Sequence, residues 1–332
     1  MKNYNNLYLF IISIFCFFSC HNGNQKDENK NISQQKKENP TPPAKINLDD
    51  FHIFEVHPME NGSDYNIFIS LSDIYSDPIS VPPEIIKNQK NLSFDELKRF
   101  ELPEIYREKL LEGTKLQEND TLYLYNYKSN ILEKFPIKNL KAVANLNVYT
   151  SEGEEIFDYY YMIGFELPKT ESDDKAMERA NFNFAYFGTE NPFNNQPLNA
   201  MKWKNVAANQ FPLKKQHPTL KSGGVYYFKD KEYQYYIQDL MGENEPLERN
   251  LAVLKNGKLV FDKIYTKGEG AEFTTLEGIE NSEYPVYQYT GNLFKGKPPV
   301  VFQFVSESFG CSEITFLDRK YPAIYTNCDN RH

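Results

Sequence analysis

Short runs of aromatic and β-branched residues recur along the chain from residue 46 and constrain its fold most strongly. Such runs favour β-strands, and polar turn segments separate them. The strongest single signal lies in residues 251–261, because Asn256-Gly257 at their centre suits the two positive-φ positions of a type I′ turn. Connections this short join antiparallel strands. The sequence therefore predicts a mainly β fold of antiparallel sheets, arranged as a sandwich or a barrel.

A short helical insert interrupts the predicted strands near residues 93–112. Ser93 and Glu96 have the spacing of a capping box, which predicts a helix over residues 94–100. Pro103 suits the first turn of a second helix that runs to about residue 112, with a glycine just past its end. We interpret this insert as a packing element.

The domain organisation has two readings. Residues 46–332 are long for a single core and sufficient for two domains. The polar stretch 169–175 is a candidate boundary between a β-rich domain over 46–168, which carries the helical insert, and a β-rich domain over 176–332. Alternatively, this stretch is a long loop and the two parts form one domain. We find no fixed-period repeat, which disfavours a propeller or a solenoid.

The chain begins with an apolar segment that ends in a cysteine. Residues 7–18 match the core of a signal peptide and are fewer than the roughly 20 residues that a bilayer-spanning helix needs. Of the two cysteines in this region, Cys20 follows Ser19, the small residue that signal cleavage prefers, whereas Cys16 follows an aromatic residue. We therefore predict a signal peptide over residues 1–19.

The segment Phe17-Phe18-Ser19-Cys20 resembles the lipobox of bacterial lipoproteins, with phenylalanine in place of the usual leucine and of the usual small residue after it. The resemblance covers only the N-terminal segment up to Cys20. It implies that Cys20 carries a lipid, that the chain is cleaved before it, and that no spanning segment is retained. The alternative is an ordinary secretory signal that contains an incidental cysteine.

Residues 20–45 contain almost no apolar side chains, so we expect them to form a disordered, lipidated tether. Within it, Gln25-Lys26-Asp27-Glu28 looks like the short acidic signal that directs some Gram-negative lipoproteins to the outer face of the outer membrane. The expected location is therefore the outer membrane, with the lipid anchor holding the protein there. The cell surface and the periplasmic face both remain open.

Cys311 and Cys328 are the two cysteines left in the mature chain if Cys20 carries a lipid. Outside the cytoplasm, two such cysteines are expected to form a disulfide. The residues between them read as two short strands about a turn, in a register that sets Ile314 opposite Tyr325. We therefore predict a disulfide-closed hairpin at the C-terminal end. Two sulfur atoms are too few to complete a zinc site, and we predict no cofactor.

Familiar catalytic motifs are absent from the sequence. It has no nucleophile elbow, no Walker loop, no paired-histidine zinc helix and no Cys-x-x-Cys motif. Paired carboxylates for glycoside hydrolysis leave no spacing rule, so a hydrolase stays open as an alternative. Glu154, Glu155 and Asp158 are possible members of such a pair, although the two glutamates look like hairpin surface. The net charge of −9, without a basic block, disfavours nucleic acid as a partner.

Aromatic residues are unusually frequent, with 24 Tyr and 25 Phe. Runs such as Tyr159-Tyr160-Tyr161 and Tyr235-Tyr236 place rings on both faces of a strand, so at least one ring of each run is expected outside the main core. Exposed rings can stack on sugars, whereas the alternative is that aromatic residues simply favour strands. For Trp203, flanked by two lysines, we expect a core position.

These observations lead to one preferred hypothesis and two alternatives. The preferred hypothesis is a lipid-anchored envelope protein that binds an extracellular glycan or protein ligand without catalysis. The first alternative is an envelope hydrolase that acts on glycan or peptidoglycan through paired carboxylates, and the second is a structural subunit of an envelope assembly.

Overall fold

The computed structural model describes residues 46–75, 81–213, 218–283 and 285–330. Four α-helices lie among these residues: α1 (Pro83–Asn88), α2 (Phe94–Lys98), α3 (Glu104–Thr114) and α4 (Asp173–Phe182). The strands of the first half are β1 (His57–Asn61), β2 (Asp64–Ser70), β3 (Arg99–Glu101), β4 (Thr121–Asn126), β5 (Ile131–Pro136), β6 (Lys141–Leu146), β7 (Tyr161–Glu171) and β8 (Asn183–Gly188). Those of the second half are β9 (Asn199–Ala200), β10 (Lys204–Val206), β11 (Lys221–Asp230), β12 (Tyr233–Met241), β13 (Pro246–Lys255), β14 (Lys258–Thr266), β15 (Ala271–Phe273), β16 (Tyr289–Gly291), β17 (Val300–Phe302), β18 (Val305–Glu307), β19 (Glu313–Phe316) and β20 (Ile324–Tyr325).

The strands form antiparallel sheets, which confirms the predicted mainly β class. The first sheet has the order β1-β2-β7-β6-β3, and the central sheet has the order β5-β4-β8. The terminal sheet has the order β20-β19-β17-β16-β9, the meander sheet runs from β10 to β14 in sequence order, and β15 pairs with β18. None of these sheets closes on itself within the described residues. The arrangement is therefore sandwich-like rather than a barrel.

The side chains of β4 point alternately to the two faces of the central sheet, and this explains how the sheets are layered. Leu122 and Leu124 face the first sheet and share a core with its strands β2 and β7, whereas Tyr123 and Tyr125 face the terminal sheet and belong to a second core. Successive strand residues point to opposite faces, so a strand that is apolar throughout is buried on both sides. The central sheet thus separates two cores, and a third core lies between the meander sheet and residues such as Trp203.

Trp203 takes the buried position that its sequence context predicts. Its side chain is buried while those of Lys202 and Lys204 are exposed. The indole Nε1–H donates to Gln288 Oε1 at 2.8 Å, which satisfies its one polar atom inside the core.

The helical insert is confirmed, with differences at its ends. Ser93 accepts from the Glu96 N–H, and the Glu96 carboxylate accepts from the Ser93 N–H, so the predicted capping box begins α2. The next helix, α3, includes Gly113 and ends at Thr114, and Lys115 after it takes the left-handed conformation expected of the glycine. The sequence reasoning missed α1 and α4. In α4 only Ala176 is buried, so the helix lacks the apolar stripe on which such a prediction depends.

The proposed boundary at residues 169–175 does not lie in an extended linker. It spans the end of β7 and the beginning of α4, and β8 then returns to pair with β4. Contacts join the described residues from 46 onward into one compact unit.

Two hairpin predictions can be compared with the structure. Asn256 and Gly257 both have positive φ, 50° and 77°, and they connect β13 with β14 as predicted. Near the N-terminal end of the described chain, the aromatic and β-branched run over residues 51–56, whose composition favours a strand, is largely irregular, and strand pairing begins at His57. This segment makes only isolated bridges, through Phe54 to Ala185 and to Asn327.

The structure joins Cys311 and Cys328 by a disulfide, with a Cα–Cα distance of 5.5 Å. The predicted register inside this hairpin is wrong by one residue, because Ile314 lies opposite Ile324 instead of Tyr325. The extra residue is Asn327, whose backbone N–H donates to Ile53 O at 2.6 Å. Pairing with a distant segment therefore shifts the hairpin register.

Candidate functional site

The connection between β6 and β7, residues 147–160, is longer than its topology requires. These two strands are antiparallel neighbours, and two to five residues are enough to join such a pair. Loops of this length inside a compact fold are usually functional. We call residues 147–160 the aromatic loop because of the side chains that it presents.

Exposed rings are concentrated in the aromatic loop. Tyr159 is 62% exposed and Tyr149 is 67% exposed, although both are large side chains that a core would normally bury. Phe157 and Tyr159 stack nearly parallel, with ring centroids 5.5 Å apart and an interplanar angle of 10°. Tyr160 meets Tyr159 edge-on at 4.9 Å. A contiguous exposed apolar surface of this kind is typical of an interaction site.

Specific hydrogen bonds hold the ends of the aromatic loop. The Asn147 N–H donates to Tyr160 O at 3.0 Å and closes the loop on itself. Gln89, which lies between α1 and α2, fixes Ile156, because its Nε2 donates to Ile156 O at 3.0 Å and its Oε1 accepts from the Ile156 N–H at 2.8 Å. Next to the loop, the buried Tyr161 donates its hydroxyl to Leu97 O at 2.9 Å. These hydrogen bonds therefore fix the backbone near the exposed rings.

A groove of about 680 Å³ lies between the helical insert and the aromatic loop. Its apolar lining comes from α1, α2 and the segment between them, and one side is formed by residues 152–156 of the loop. Lysines and glutamates stand among the lining residues: Lys87, Lys90, Glu152, Glu154 and Glu155. The groove therefore combines apolar surface with polar groups of both signs, as ligand sites do.

The aromatic loop contributes residues to the groove as well as the exposed rings. Ile156 lines the groove, and Phe157 follows it directly in the aromatic loop. A hydrogen bond with Tyr159 raises the pKa of Tyr160, and the nearby charges of Glu154 and Glu155 act in the same direction. Two residues that line the groove therefore lie near Tyr160, which belongs with Phe157 and Tyr159 to the aromatic cluster of the loop.

The tyrosine runs divide between core and surface as the sequence predicts. Tyr159 is exposed while Tyr161 is buried, and Tyr235 is buried while Tyr236 is half-buried. Glu154 and Glu155 are exposed at the rim of the groove, which agrees with their interpretation as surface residues. Cys20 and the rest of residues 1–45 lie outside the described residues, so the lipidation site stays a prediction.

The sequence reasoning missed the groove itself. Its lining joins residues 86–97 to residues 152–156, and no local pattern shows that two distant segments meet. The sequence did contain one indication of the aromatic loop. A long stretch with polar residues separates the two strand-like runs that form β6 and β7.

Two glutamates also meet at a second cleft of about 230 Å³ near α4. Arg179 donates to Glu171 Oε1 at 2.9 Å and also bonds both carboxylate oxygens of Glu133. A glycosidase needs one carboxylic acid that delivers a proton and a second carboxylate that acts as nucleophile or base. Because one arginine holds both carboxylates, this cleft has the form of a structural ion-pair network.

Comparison with known proteins gives no relative. No family model matches the chain, and neither a curated protein nor a solved structure matches it. The functional argument therefore depends on the residues described above.

Two further searches of the described ranges were negative. Among residues 46–75, 81–213, 218–283 and 285–330, no helix is both long and apolar enough to cross a membrane. The same part of the chain contains no group of three or more His, Cys, Asp or Glu side chains placed to hold a metal ion.

Proposed function

We propose that the protein is a lipid-anchored envelope protein that binds a glycan noncatalytically through the aromatic cluster and the adjoining groove. The observation that carries the proposal is the stacked, exposed pair of Phe157 and Tyr159 beside a groove of about 680 Å³. Flat aromatic faces fit the apolar faces of sugar rings, and burial of such faces is favourable. Lys87, Glu154 and the other charged groups of the groove supply donors and acceptors for sugar hydroxyls.

The proposed location depends on the signals predicted in the N-terminal sequence. Lipid attachment at Cys20 would place the protein at the outer membrane, and residues 21–45 would let the folded part move relative to the membrane surface. Such a tether suits a protein that searches for an extended polymer. Nucleic acid remains disfavoured as a partner by the net charge of −9.

Retention on immobilised polysaccharides tests the binding proposal. We expect the mature chain to be retained by at least one envelope or host polysaccharide, without release of product. Tyr159→Ala and Phe157→Ala should each weaken binding about tenfold, because an aromatic contact contributes roughly 1 kcal/mol beyond its buried area. Tyr325→Ala is the matched control, since Tyr325 is a similarly exposed tyrosine on β20.

Two results would contradict binding at this surface. One is equal retention of the Tyr159→Ala and Tyr325→Ala variants, which would place the ligand elsewhere. The other is release of shortened glycan that a single Asp or Glu substitution abolishes, which would establish the hydrolase alternative.

A further inference from the structure

The charged side chains of the groove are divided between its two walls. Residues within 86–97 form one wall, which we call the helical wall, and residues 152–156 form the other, which we call the loop wall. The charged lining residues are Lys87, Lys90, Glu152, Glu154 and Glu155, and all of them are exposed. Both lysines belong to the helical wall and all three glutamates to the loop wall. The groove is therefore positive on one side and negative on the other.

The opposite charges of the two walls do not neutralise each other. Within the part of the chain that the structure describes, none of these five side chains forms an ion pair. Gln89 joins the walls through its two hydrogen bonds to the Ile156 backbone, but it does not bring their charges into contact. The Glu154 carboxylate instead accepts from the Ser151 N–H of its own loop at 3.2 Å. Both walls therefore keep charges that a ligand can pair.

The negative wall lies beside the aromatic cluster. The hydrogen bond with Tyr159 is the main cause that raises the pKa of Tyr160, and the charges of Glu154 and Glu155 add to this effect because they are near. An ammonium group is attracted by carboxylates and also by the face of an aromatic ring. The end of the groove where the loop wall meets the aromatic cluster therefore favours a sugar that carries an amine.

A ligand with charges of one sign matches only one wall. A polyanion would be attracted by the two lysines and repelled by the three glutamates, and a polycation would meet the reverse. A neutral glycan would displace water from the charged groups without pairing them, which costs free energy. A ligand that carries both kinds of charge compensates both walls.

Building on the glycan binding proposed above, we propose that the groove takes a zwitterionic glycan, which carries ammonium and acidic groups on one short stretch. The ammonium group lies near Glu155 and the aromatic cluster, and the acidic group lies near Lys87 and Lys90. The apolar lining, which includes Phe94, contacts the apolar faces of the sugar rings. A volume of about 680 Å³ is within the range of pockets that hold ligands of drug size, so the groove accommodates a short stretch of such a chain.

The test compares soluble oligomers that share a cellulose-type backbone and differ in charge. Hydroxyethyl cellulose is neutral, carboxymethyl cellulose is anionic, chitosan is cationic, and carboxymethyl chitosan carries both charges. At about pH 5.5 the glutamates are ionised and the sugar amines are protonated. We expect the mature chain to bind carboxymethyl chitosan about tenfold more tightly than the other oligomers in calorimetric titration. Salt at about 1 M should remove most of this difference, because it screens exposed charges.

Variants of the two walls should shift the preference in opposite directions. Lys87→Gln should weaken the binding of carboxymethyl chitosan about threefold and strengthen that of chitosan. Glu155→Gln should weaken the binding of carboxymethyl chitosan by a similar factor and strengthen that of carboxymethyl cellulose. Lys221→Gln and Glu243→Gln change the charge at exposed positions outside the groove and should leave all four affinities unchanged. Loss of structure cannot strengthen binding, so the two opposite shifts report on charge alone.

Several outcomes would overturn the zwitterionic ligand. They are equal affinity for the four oligomers, tighter binding of a neutral or singly charged oligomer, and absence of carboxymethyl chitosan binding. Glycan binding itself is judged separately by Tyr159→Ala. A polysaccharide that is retained whatever its charge and is lost in Tyr159→Ala would support the proposed function and contradict the zwitterionic ligand. Carboxymethyl chitosan binding that Tyr159→Ala leaves unchanged would support the ligand class and contradict binding at the aromatic cluster.

Discussion

His57 illustrates how a single residue can be stabilised poorly inside an otherwise well-packed structure. It begins β1 beside Phe68, with ring centroids 6.3 Å apart, and its Nε2 is buried without a hydrogen-bond partner. Burial lowers the pKa of the His57 imidazole, although the charges of Glu55, Asp329 and Asp73 act in the opposite direction. The folded protein therefore holds this histidine neutral more strongly than the unfolded chain does.

This residue predicts a pH dependence of stability. As the pH falls through the ordinary histidine pKa of 6.5, the unfolded chain binds a proton that the folded protein does not, so the free energy of unfolding should decrease below that pH. Urea unfolding at about pH 7.5 and about pH 5.5 measures the change. In His57→Gln the decrease should be smaller. His52→Gln is the control, since it replaces a histidine with 44% of its side chain exposed, and it should lose as much stability between the two pH values as the parent protein does. An equal loss of unfolding free energy in all three proteins would refute the prediction.

At the scale of elements, the helical insert connects stability with the candidate site. Ser93 and Glu96 form the capping box of α2, and residues of this helix also line the groove. The helix has only five residues, so its own propensity contributes little and its cap and packing decide whether it forms. Leu97 supplies that packing, since it is buried in the core of the first sheet.

Removing the cap should therefore be measurable. Ser93→Ala is expected to lower the free energy of unfolding by about 1 kcal/mol, because it leaves the first-turn N–H groups of α2 without their side-chain acceptor. Chemical denaturation measures the loss. Ser151→Ala, at an exposed position of the aromatic loop, serves as the control and should change stability little. Equal stability of both variants would show that the cap contributes nothing.

Elements also show where sequence reasoning succeeded and where it could not. The capping box of α2 and the Asn256-Gly257 turn are local features, so the residues that form them are neighbours in the chain. The one-residue shift in the terminal hairpin comes from Asn327 and its contact with Ile53, which no local pattern contains. The same holds for the candidate site. The alternation of side chains between the two faces of a strand predicted that some tyrosines lie outside the core, whereas the groove depends on tertiary contacts that no local pattern shows.

At the scale of the whole molecule, the central sheet joins the layers, because one of its faces belongs to the core of the first sheet and the other to the core of the terminal sheet. Its strand β4 is apolar on both faces, and Phe54 adds a bridge from the N-terminal segment to β8. The terminal sheet packs on the far side of this layer and carries the disulfide hairpin. Damage to the hairpin should therefore weaken the protein as a whole.

Loss of the disulfide tests this expectation. The double variant Cys311→Ser with Cys328→Ser should lower the free energy of unfolding by about 3 kcal/mol, because the bond closes a loop with a sequence separation of 17 residues. Denaturation of the parent protein with and without reductant provides the comparison. A reduced parent as stable as the oxidised one would contradict this prediction.

The anchor predicts a separate outcome at the same scale. Cys20→Ala should move the protein from the membrane fraction to the soluble fraction, because a lipidated cysteine is the only membrane attachment that the hypothesis includes. Cell fractionation followed by detection of the chain measures the change. Cys311→Ser leaves Cys20 intact and should keep the protein with membranes, whereas unchanged partitioning of Cys20→Ala would exclude the anchor.

The bridge between the two ends of the described chain also has a mechanical consequence. Asn327 donates to Ile53 O and accepts from the Glu55 N–H at 3.0 Å, and the bridge between Phe54 and Asn327 is parallel. If the protein is pulled by a tether on its N-terminal side while its ligand is held, this bridge carries part of the load, together with the contact between Ile46 O and Lys297. Asn327 precedes Cys328, which is joined covalently to Cys311, so this part of the force is transmitted to both ends of the terminal hairpin.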